Sequence, residues 1–389
     1  MPVSEVIFLK RILICASRIS HVLNFHLPYL EYFKQQGYII DVAAQGTTDN
    51  VLIDNCYDMQ FVKNPLSPTN LKTISRLKKL MKQNRYSLVY SNSTLAGAAA
   101  RMAVRSIKKD RPHFVHISHG YMFSEKGGMK SFIYKTAEKL TAPQCDDLVV
   151  MNSDDLFLAT KYRLGKSLHY IYGMGLCADR FPEITDEQRV SARNRIKVAK
   201  NQKLLLCVGE FSKRKNQTLL IRAFDLIHKQ HPDTVLAFAG SGKTEDECRS
   251  LCEQLELQNS VRFLGQVSDV NTLYRSCDLL LAASAMEGLP FNVMEALYCS
   301  VPVAASRIKG HTDLLEGKDF GVLFDNNTAS AAEAINRILG DEKLFSDMKA
   351  KARLDEKYMI ENVKPALLQI LDKNYRRTAA GKAEEGAYT

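Results

Sequence analysis

The chain has 389 residues and a formal net charge of +10, from 53 basic and 43 acidic side chains. Its length predicts more than one domain, and 46% hydrophobic with 25% charged residues excludes a wholly disordered chain. The positive charge favours anionic partners such as phosphorylated ligands, nucleic acid or an acidic membrane, and does not choose among them.

The cysteines and the apolar runs predict a cytoplasmic location. The nine cysteines are scattered along the chain, and the close pair Cys248 and Cys252 lacks the second half-site that zinc requires. We interpret all nine as buried thiols in a reducing compartment. No signal peptide precedes Lys10, and no apolar run approaches the roughly 20 residues of a spanning helix.

Short apolar runs alternate with amphipathic stretches along the first half of the chain. The predicted strands of this half span 11–17, 39–44, 87–91, 114–118 and 148–151. A helix is predicted over 22–36, with Gly37 as its stop signal. Strands that are apolar on both faces and alternate with helices indicate a parallel sheet covered on both sides.

The alternation of apolar runs and amphipathic stretches is interrupted by a polar segment at about 181–202 and then resumes. The predicted strands of the second half span 204–208, 235–239, 261–264, 279–283, 301–305 and 321–324. The fold class is therefore α/β, with two doubly wound, Rossmann-like domains. We divide the chain into a first domain over 1–182, a second over 183–357, a helical segment over 358–377 and a disordered tail over 378–389.

Ligands bind such sheets beyond the carboxyl ends of the strands, and a basic loop follows the strand over 204–208. Lys213, Arg214 and Lys215 stand just before a predicted helix, where cations oppose the helix dipole. A phosphate bound there would reconcile the cations with the dipole, although a solvated basic turn is equally compatible. In the next loop, Gly240 would allow close approach of a ligand, but a plain tight turn also explains it.

Two further loops carry groups suited to a ligand. Glu287 and Glu295 straddle a turn and the start of a helix for which Pro290 suits the first position. The two carboxylates could face one cleft, or Glu295 could be an ordinary exposed helix residue. In the fourth loop, Gly310 and the amides after it begin a short helix, another terminus that suits an anion.

These loops resemble the motifs of the retaining GT-B glycosyltransferases of family 4. Glu287 and Glu295 resemble the E-x7-E motif, with its E-G-x-P…E-A surroundings and the x-P-V that follows. The loop 209–215 is similar to G-R-L-x-x-x-K-G, and 173–181 is similar to the G-V-D-x-x-R-F junction between domains. Glu210 replaces the usual arginine, as in exopolysaccharide members with G-E-L-N-x-x-K-N.

The resemblance implies a GT-B fold, with two Rossmann-like domains facing across a cleft and a last helix crossing back to the N-terminal, acceptor-side domain. It implies retaining transfer from a nucleotide-diphosphate sugar, for which we expect a UDP-sugar, to a lipid-linked or saccharide acceptor. A polyprenyl-diphosphate-linked saccharide in capsule or exopolysaccharide synthesis is the expected acceptor. The chain has no Asp-x-Asp sequence, so we expect metal-independent chemistry without a cofactor.

The resemblance also implies roles for single residues in the second half. Lys215 would hold the donor diphosphate, Glu295 would bind the ribose hydroxyls and Glu287 would touch the sugar. Lys213 or Arg214 would supply a second charge, and amides near Gly310 would lie near the diphosphate. The full predicted donor-binding set is Gly209, Lys213, Arg214, Lys215, Gly240, Glu287, Gly288, Leu289, Pro290, Asn292, Glu295 and Gly310. The predicted catalytic set is His119, Lys215 and Glu287.

Histidines in the first half complete the predicted site. His119, preferred to His116, follows a strand, where related enzymes place a histidine near the donor sugar. The run 17–26 is similar to the S-H-x-x-N-F-H of exopolysaccharide and capsule members, which predicts Ser20, His21 and Asn24 on the acceptor side. We interpret His26 as structural.

Two basic stretches, 71–85 and 101–111, predict reversible attachment to an anionic membrane surface, although solvated helix faces are also compatible. Nucleic acid is not an expected partner, because tryptophan and recognition motifs are absent from the sequence. Two other functions stay open: a GT-B nucleotide-sugar epimerase, and a non-catalytic partner subunit of a polysaccharide assembly.

Overall fold

The computed structural model describes residues 10–62, 67–125 and 127–375. The chain divides into two compact units, Met1–Gly175 with Glu361–Thr389, and Leu176–Ile360. The division falls after Gly175, whereas the sequence placed it after residue 182, because Leu176 pairs with Met359 in a parallel bridge within the second unit. The predicted disordered tail over 378–389 lies outside the described residues.

The first unit contains a seven-stranded sheet. Its strands are β1 Arg11–Arg18, β2 Ile39–Gln45, β3 Asn55–Asp58, β4 Leu88–Ser91, β5 His113–Ile117, β6 Asp147–Val150 and β7 Ser167–Tyr170. Their order is β3-β2-β1-β4-β5-β6-β7, and neighbouring strands are parallel. The order reverses between β1 and β4, which makes the carboxyl ends of these two strands the expected ligand-binding edge.

Helices cover this sheet. They are α1 Ile19–Phe25, α2 Leu27–Gln35, α3 Pro68–Asn84, α4 Thr94–Arg105, α5 Met129–Thr141 and α6 Ser153–Tyr162. The single helix predicted over 22–36 is wrong, since the chain turns at His26 between α1 and α2. Pro28 explains the break, because proline lacks an N–H and its ring crowds the preceding turn.

One residue of the predicted membrane-binding stretch lies inside the first unit. Arg101 on α4 is fully buried and donates from Nη2 to Glu138 Oε2 of α5 at 2.7 Å. Its Nε also donates to the Gly97 carbonyl at 3.1 Å. Assigning Arg101 to a membrane-facing surface is therefore wrong, because its charge is used to join two helices.

The second unit repeats this plan. Its strands are β8 Lys203–Val208, β9 Thr234–Ala239, β10 Val261–Phe263, β11 Leu279–Ala282, β12 Val303–Ser306 and β13 Gly321–Phe324. Their order is β10-β9-β8-β11-β12-β13, so the reversal lies between β8 and β11. The buried faces of the central strands hold Leu, Val, Ala and Phe side chains, as the apolar runs predicted.

Helices flank this second sheet. They are α7 Asp186–Arg195, α8 Gln217–His228, α9 Glu245–Gln254, α10 Val270–Ser276, α11 Phe291–Tyr298, α12 His311–Leu315, α13 Thr328–Gly340 and α14 Glu342–Lys351. The last helix among the described residues, α15 Ile360–Leu371, begins at the boundary, and its residues from Glu361 group with the first unit. Among the described residues, no helix is both long and apolar enough to cross a membrane.

Candidate active site

The loops after β8 and β11 meet at the reversal point of the second sheet. The Ala285 amide donates to the Arg214 carbonyl at 2.7 Å, and Arg214 Nη1 donates to the Met286 carbonyl at 3.3 Å. These bonds hold the basic loop 209–216 against the turn that carries Glu287. Two segments more than 70 residues apart in sequence therefore form one site.

Two cations and a hydroxyl converge on one carboxylate oxygen. Oε1 of Glu287 lies 2.8 Å from Lys215 Nζ and 2.6 Å from Arg214 Nη1, and accepts from Ser284 Oγ at 2.8 Å. Burial alone would raise the pKa of Glu287, but Lys215 and Arg214 beside it hold that pKa below its usual range. Two cations to one ionised carboxylate leave an excess positive charge, which suits an anionic ligand.

Glu295 is half-buried on α11, and Tyr274 donates to its Oε2 at 2.8 Å. Burial raises the pKa of Glu295 and outweighs the lowering effects of the Tyr274 hydrogen bond, Arg180 and Lys215. The open alternative of an exposed helix position is therefore wrong for Glu295. Pro290 caps α11 rather than occupying its first helical position.

Two glycines allow the backbone of these loops to come close together. A Cβ at Gly240, where φ is +142°, would lie 2.1 Å from the Gly209 carbonyl oxygen. A Cβ at Gly310, where φ is +79°, would lie 2.4 Å from the Gly288 carbonyl oxygen. Real Cβ atoms do not approach backbone so closely, so both positions need glycine for space as well as for φ.

An open cavity of about 460 Å³ adjoins the basic loop. Its volume lies in the range of small-molecule sites. The lining residues are Val208, Gly209, Glu210, Ala239, Gly240, Ser241, Gly242, Gln266, Val267 and Val270. Gly209 belongs to both the cavity wall and the loop of Lys215, so a ligand in the cavity could extend to the charged cluster.

Family comparisons agree with this geometry. Residues 11–151 match the model for "Glycosyl transferase 4-like" proteins, and residues 188–355 match the model for "Glycosyl transferases group 1". The chain belongs to the family 4 glycosyltransferases. It is therefore a transferase, and the prediction of the family from its E-x7-E motif is confirmed.

Relatives of this glycosyltransferase cover most of its length. The putative glycosyltransferase EpsD of Bacillus subtilis (strain 168) is 29% identical over 95% of this chain and 92% of its own. An Escherichia coli UDP-Gal:alpha-D-GlcNAc-diphosphoundecaprenol alpha-1,3-galactosyltransferase is 23% identical over 82% of each chain. Anabaena HepE, solved with UDP and glucose, superposes with a TM-score of 0.74 at 18% identity over 93% of this chain and 99% of its own. The fold of the glycosyltransferase is GT-B, as predicted.

Two of the predicted donor-binding residues, Asn292 and Leu289, also make contacts within the fold of the glycosyltransferase. Asn292 donates from Nδ2 to the Val208 carbonyl at 3.1 Å, which fixes α11 to the end of β8. Leu289 packs against the apolar core of the unit. Lys213 is exposed, and within the described ranges no ion pair is seen for it, so the second charge beside Lys215 comes from Arg214.

The sequence did not single out three residues of this site: Tyr274, Ser284 and His311. His311 is buried, with Nδ1 2.8 Å from the Ser306 carbonyl oxygen, and burial lowers its pKa to about 4. A neutral imidazole next to Glu287 and Lys215 can hydrogen-bond without adding charge. Its position beside Gly310 was the only signal in the sequence, whereas Tyr274 comes from a helix without any motif.

In the first unit, the predicted acceptor-side residues lie in two different environments. Ser20 and Asn24 lie exposed on one face of α1, whereas His21 faces His119, with ring centroids 4.4 Å apart. His116 is buried and hydrogen-bonds Ser91 Oγ through Nδ1 at 2.8 Å. Of the two histidines at the end of β5, His119 is therefore the one outside the core.

Proposed function

We propose that this glycosyltransferase moves a sugar, with retention, from a UDP-sugar to a lipid-linked saccharide during assembly of a cell-surface polysaccharide. The single observation that carries the proposal is the pairing of Lys215 and Arg214 with Glu287 at the reversal point of the second sheet. The name of the Escherichia coli relative, a UDP-galactose-dependent transferase acting on a diphosphoundecaprenol-linked sugar, and the UDP in the HepE structure support the choice of donor and acceptor class.

The two cations would neutralise the leaving nucleotide. Negative charge builds on the diphosphate as the bond from the anomeric carbon to oxygen breaks, and prepositioned cations stabilise that charge. Lys215 and Arg214 would exchange part of their contact with Glu287 for the diphosphate oxygens, so the transfer would proceed without a metal on the diphosphate. The adjoining cavity would take the nucleoside, with Glu295 accepting from the ribose hydroxyls.

Retention would proceed by displacement on one face of the sugar. Oε1 of Glu287 already accepts three donors, and Glu295 accepts from Tyr274, so neither carboxylate is arranged as a covalent nucleophile. The acceptor oxygen would bond to the anomeric carbon as the diphosphate leaves, and the acceptor proton would pass to the leaving phosphate oxygen. In this proposal Glu287 and His119 contact the donor sugar, and Ser20 and Asn24 lie on the acceptor side.

The acceptor lipid requires contact with a membrane, and α5 carries a suitable surface. Met129, Phe132 and Leu140 are exposed by 76%, 58% and 69% on one face of this helix. Lys130 and Lys139 flank that face and are exposed as well. An amphipathic helix with apolar residues between lysines is typical of interfacial binding to anionic lipid, so we place the membrane-binding surface on α5. The basic exposed face of α3, in the same unit, is a second contribution.

The test is a panel of nucleotide sugars offered with a polyprenyl-diphosphate-linked saccharide, read out as released nucleotide and as the anomeric configuration of the product by NMR. We expect acceptor-dependent release of UDP and a product that keeps the donor's α configuration. Lys215→Met should lower the rate by roughly 100-fold or more, the range for loss of one charge-stabilising group, while Lys213→Met, the exposed control, should change it little.

Other outcomes would contradict the proposal. Conversion of the nucleotide sugar without any acceptor would identify an epimerase. No turnover of any donor by the wild-type chain, together with no UDP binding, would identify a non-catalytic subunit.

A further inference from the structure

His311 is buried in the second unit with one ring nitrogen unused. Its Nδ1 lies 2.8 Å from the Ser306 carbonyl oxygen, and since a carbonyl oxygen only accepts, Nδ1 carries the proton of the neutral ring. Nε2 is therefore a hydrogen-bond acceptor, and it is buried without a partner among the described residues. Such an atom is rare in folded proteins and calls for an explanation.

A short series of hydrogen bonds connects this ring to the turn that carries Glu287. Ser306 donates from Oγ to the Ser284 carbonyl at 2.6 Å, and Ser284 donates from Oγ to Glu287 Oε1 at 2.8 Å. The charges of Glu287 and Lys215 both act on the pKa of His311, the first raising it and the second lowering it. The unused acceptor therefore belongs to the charged cluster of the candidate active site.

Of the two charged groups that act on this ring, only Lys215 can donate a hydrogen bond. The cations beside Glu287 hold its pKa below its usual range, so the carboxylate carries no proton at neutral pH. The Lys215 ammonium has three N–H groups, and its Nζ lies 2.8 Å from Glu287 Oε1. The stem of this lysine packs over Gly209, where an added Cβ would lie 3.1 Å from Cε. The ammonium therefore turns about a nearly fixed stem.

We propose that His311 is a positioning residue for Lys215, and that its Nε2 accepts one N–H of the ammonium when the ammonium turns from Glu287 towards the donor diphosphate. The inference rests on the proposed function, in which Lys215 exchanges part of its contact with Glu287 for diphosphate oxygens. The new hydrogen bond would fix the direction of the ammonium and leave its other N–H groups for the diphosphate. It would also satisfy the unused Nε2.

A neutral acceptor suits this position better than a charged one. Lys215 and Arg214 face a single carboxylate, so the cluster keeps an excess positive charge. A second carboxylate in place of His311 would cancel that excess and weaken the attraction for a diphosphate. An imidazolium would repel the ammonium, whereas a neutral ring forms a charge-assisted hydrogen bond with it.

NMR of the ring nitrogens in the full chain, with isotope-labelled histidine, observes this hydrogen bond without relying on a variant that folds. The His311 signals are those that disappear in His311→Phe. In the free chain we expect a protonated Nδ1 and an Nε2 whose lone pair is unbonded. Saturating UDP should move the Nε2 signal to lower frequency, as acceptance of a hydrogen bond does, and should leave Nδ1 protonated. Inorganic pyrophosphate should act in the same way, and Lys215→Met should remove the change.

A double-variant cycle measures the coupling between the two side chains. His311→Phe keeps a ring without Nε2 and should weaken UDP binding about 10- to 100-fold, the range for one hydrogen bond to a charged group. In a Lys215→Met background the same change should alter affinity by less than about twofold, because the two groups act together. His311→Gln, which retains an acceptor, should bind UDP more tightly than His311→Phe.

His231→Phe is the matched control for the cycle. This histidine lies in the second unit, where its Nε2 is 2.8 Å from Asn336 Oδ1. Its replacement should leave UDP affinity at the wild-type level. Equal weakening in His231→Phe and His311→Phe would show a general effect of losing a histidine and would overturn the positioning role.

Several other outcomes would overturn this role. They are an Nε2 signal that stays unchanged while UDP binds, a change that requires the sugar of a UDP-sugar, a change that persists in Lys215→Met, and protonation of both ring nitrogens. Additive losses in the cycle would show that His311 acts apart from Lys215. Binding of neither UDP nor pyrophosphate to the wild-type chain would instead refute the proposed donor site, and the inference with it.

Discussion

Glu287 and Glu295 are eight positions apart, and their pKa values move in opposite directions. The cations beside Glu287 outweigh its burial and lower its pKa, whereas burial dominates for Glu295 and raises its pKa. A carboxyl whose pKa is lower in the folded state stabilises the fold at pH values above its unfolded-state pKa. That contribution is lost as the pH falls through its folded-state pKa. A carboxyl whose pKa is higher in the folded state stabilises the fold at pH values below its unfolded-state pKa. That contribution is lost as the pH rises through its folded-state pKa.

The two glutamine variants should therefore have opposite pH profiles. Relative to the wild type, Glu287→Gln should lose stability most near neutral pH and least in acid, while Glu295→Gln should gain stability as the pH rises. Urea unfolding at several pH values between roughly 3 and 8 measures both, a range that spans carboxyl titration. Glu333→Gln, on an exposed helix position, controls for the loss of one charge. Parallel profiles for the two site variants would contradict the assigned environments.

Gly310 and Gly317 offer a matched comparison of two glycines with positive φ. Alanine at either costs on the order of 1–3 kcal/mol of backbone strain, since φ is +79° and +71°. Only at Gly310 does the added Cβ meet backbone, the Gly288 carbonyl at 2.4 Å, while Gly317 has nothing within 4 Å. Gly310→Ala should therefore weaken UDP binding by roughly tenfold or more, equivalent to about 1.4 kcal/mol, with Gly317→Ala near wild type. Equal effects in calorimetry would show that φ, not space, is what Gly310 provides.

Among the elements, α4 and α5 are joined by the buried pair of Arg101 and Glu138. Their side chains are 0% and 1% exposed, and Arg101 Nη1 and Glu138 Oε1 are buried without partners. Removing one partner leaves a buried charge, so Arg101→Met should cost about 3–5 kcal/mol of unfolding free energy. Arg101→Met with Glu138→Leu should recover most of that loss, because an apolar pair of similar volume is tolerated.

Urea denaturation of the four members of this cycle measures the coupling. Arg105→Met removes an exposed cation one turn further along the same helix and should change stability by less than roughly 0.5 kcal/mol. A double variant as unstable as Arg101→Met alone would show that the charges themselves are required.

The apolar face of α5 predicts how the chain meets a membrane. Phe132→Ser with Leu140→Ser removes two exposed apolar side chains and should weaken binding to phosphatidylglycerol vesicles by at least roughly tenfold, while raised salt weakens it further by screening the lysines. Leu226→Ser is the control, since this leucine is 50% exposed in the second unit. Co-sedimentation gives the measurement. Equal loss with Leu226→Ser, or binding that is insensitive to all three changes, would remove α5 from the membrane surface.

The same elements show what sequence patterns can predict. The central strands were found because their burial on both faces produces continuous apolar runs. β3 and β7 were missed, since they lie at the edges of the first sheet and contain only partly buried or exposed residues, such as Asn55 and Ser167. A hydrophobic pattern in the sequence also does not show which residues contact each other in the folded protein. Arg101 was therefore assigned to the surface, although its partner lies 37 positions away on another helix.

The residues of the candidate site likewise fall into those that sequence patterns predicted and those that they did not. Glu287, Lys215 and Gly310 were predicted because they stand in loops after strands and within a family motif. Tyr274, which hydrogen-bonds Glu295, comes from a helix that carries no motif. Cys56 and Cys177 correct another expectation, because they are only partly buried, unlike the other seven cysteines. Exposure of a side chain depends on what packs over it, which single-sequence periodicity does not contain.

At the scale of the whole molecule, the two similar sheets carry different types of side chain at their ligand-binding edges. The loops at the reversal point of the second sheet hold cations for an anion, while α1 and the loop after β5 in the first unit hold histidines whose pKa burial lowers. A ligand that binds the native state stabilises it by an amount that rises with its concentration, about 2.7 kcal/mol at 100 times the Kd. That stabilisation acts first on the backbone that the ligand contacts.

UDP should therefore slow amide hydrogen exchange mainly in residues 209–216 and 283–290 of the second unit, and much less in strands β1 to β7. Local opening governs exchange in such loops, so protection there measures how tightly the ligand closes them. Lys215→Met should abolish the protection at the same UDP concentration, and Lys213→Met should retain it. Protection of equal size in β1 and β4 would mean that UDP binds the first unit too, and the assignment of the donor to the cations of the second unit alone would then be wrong.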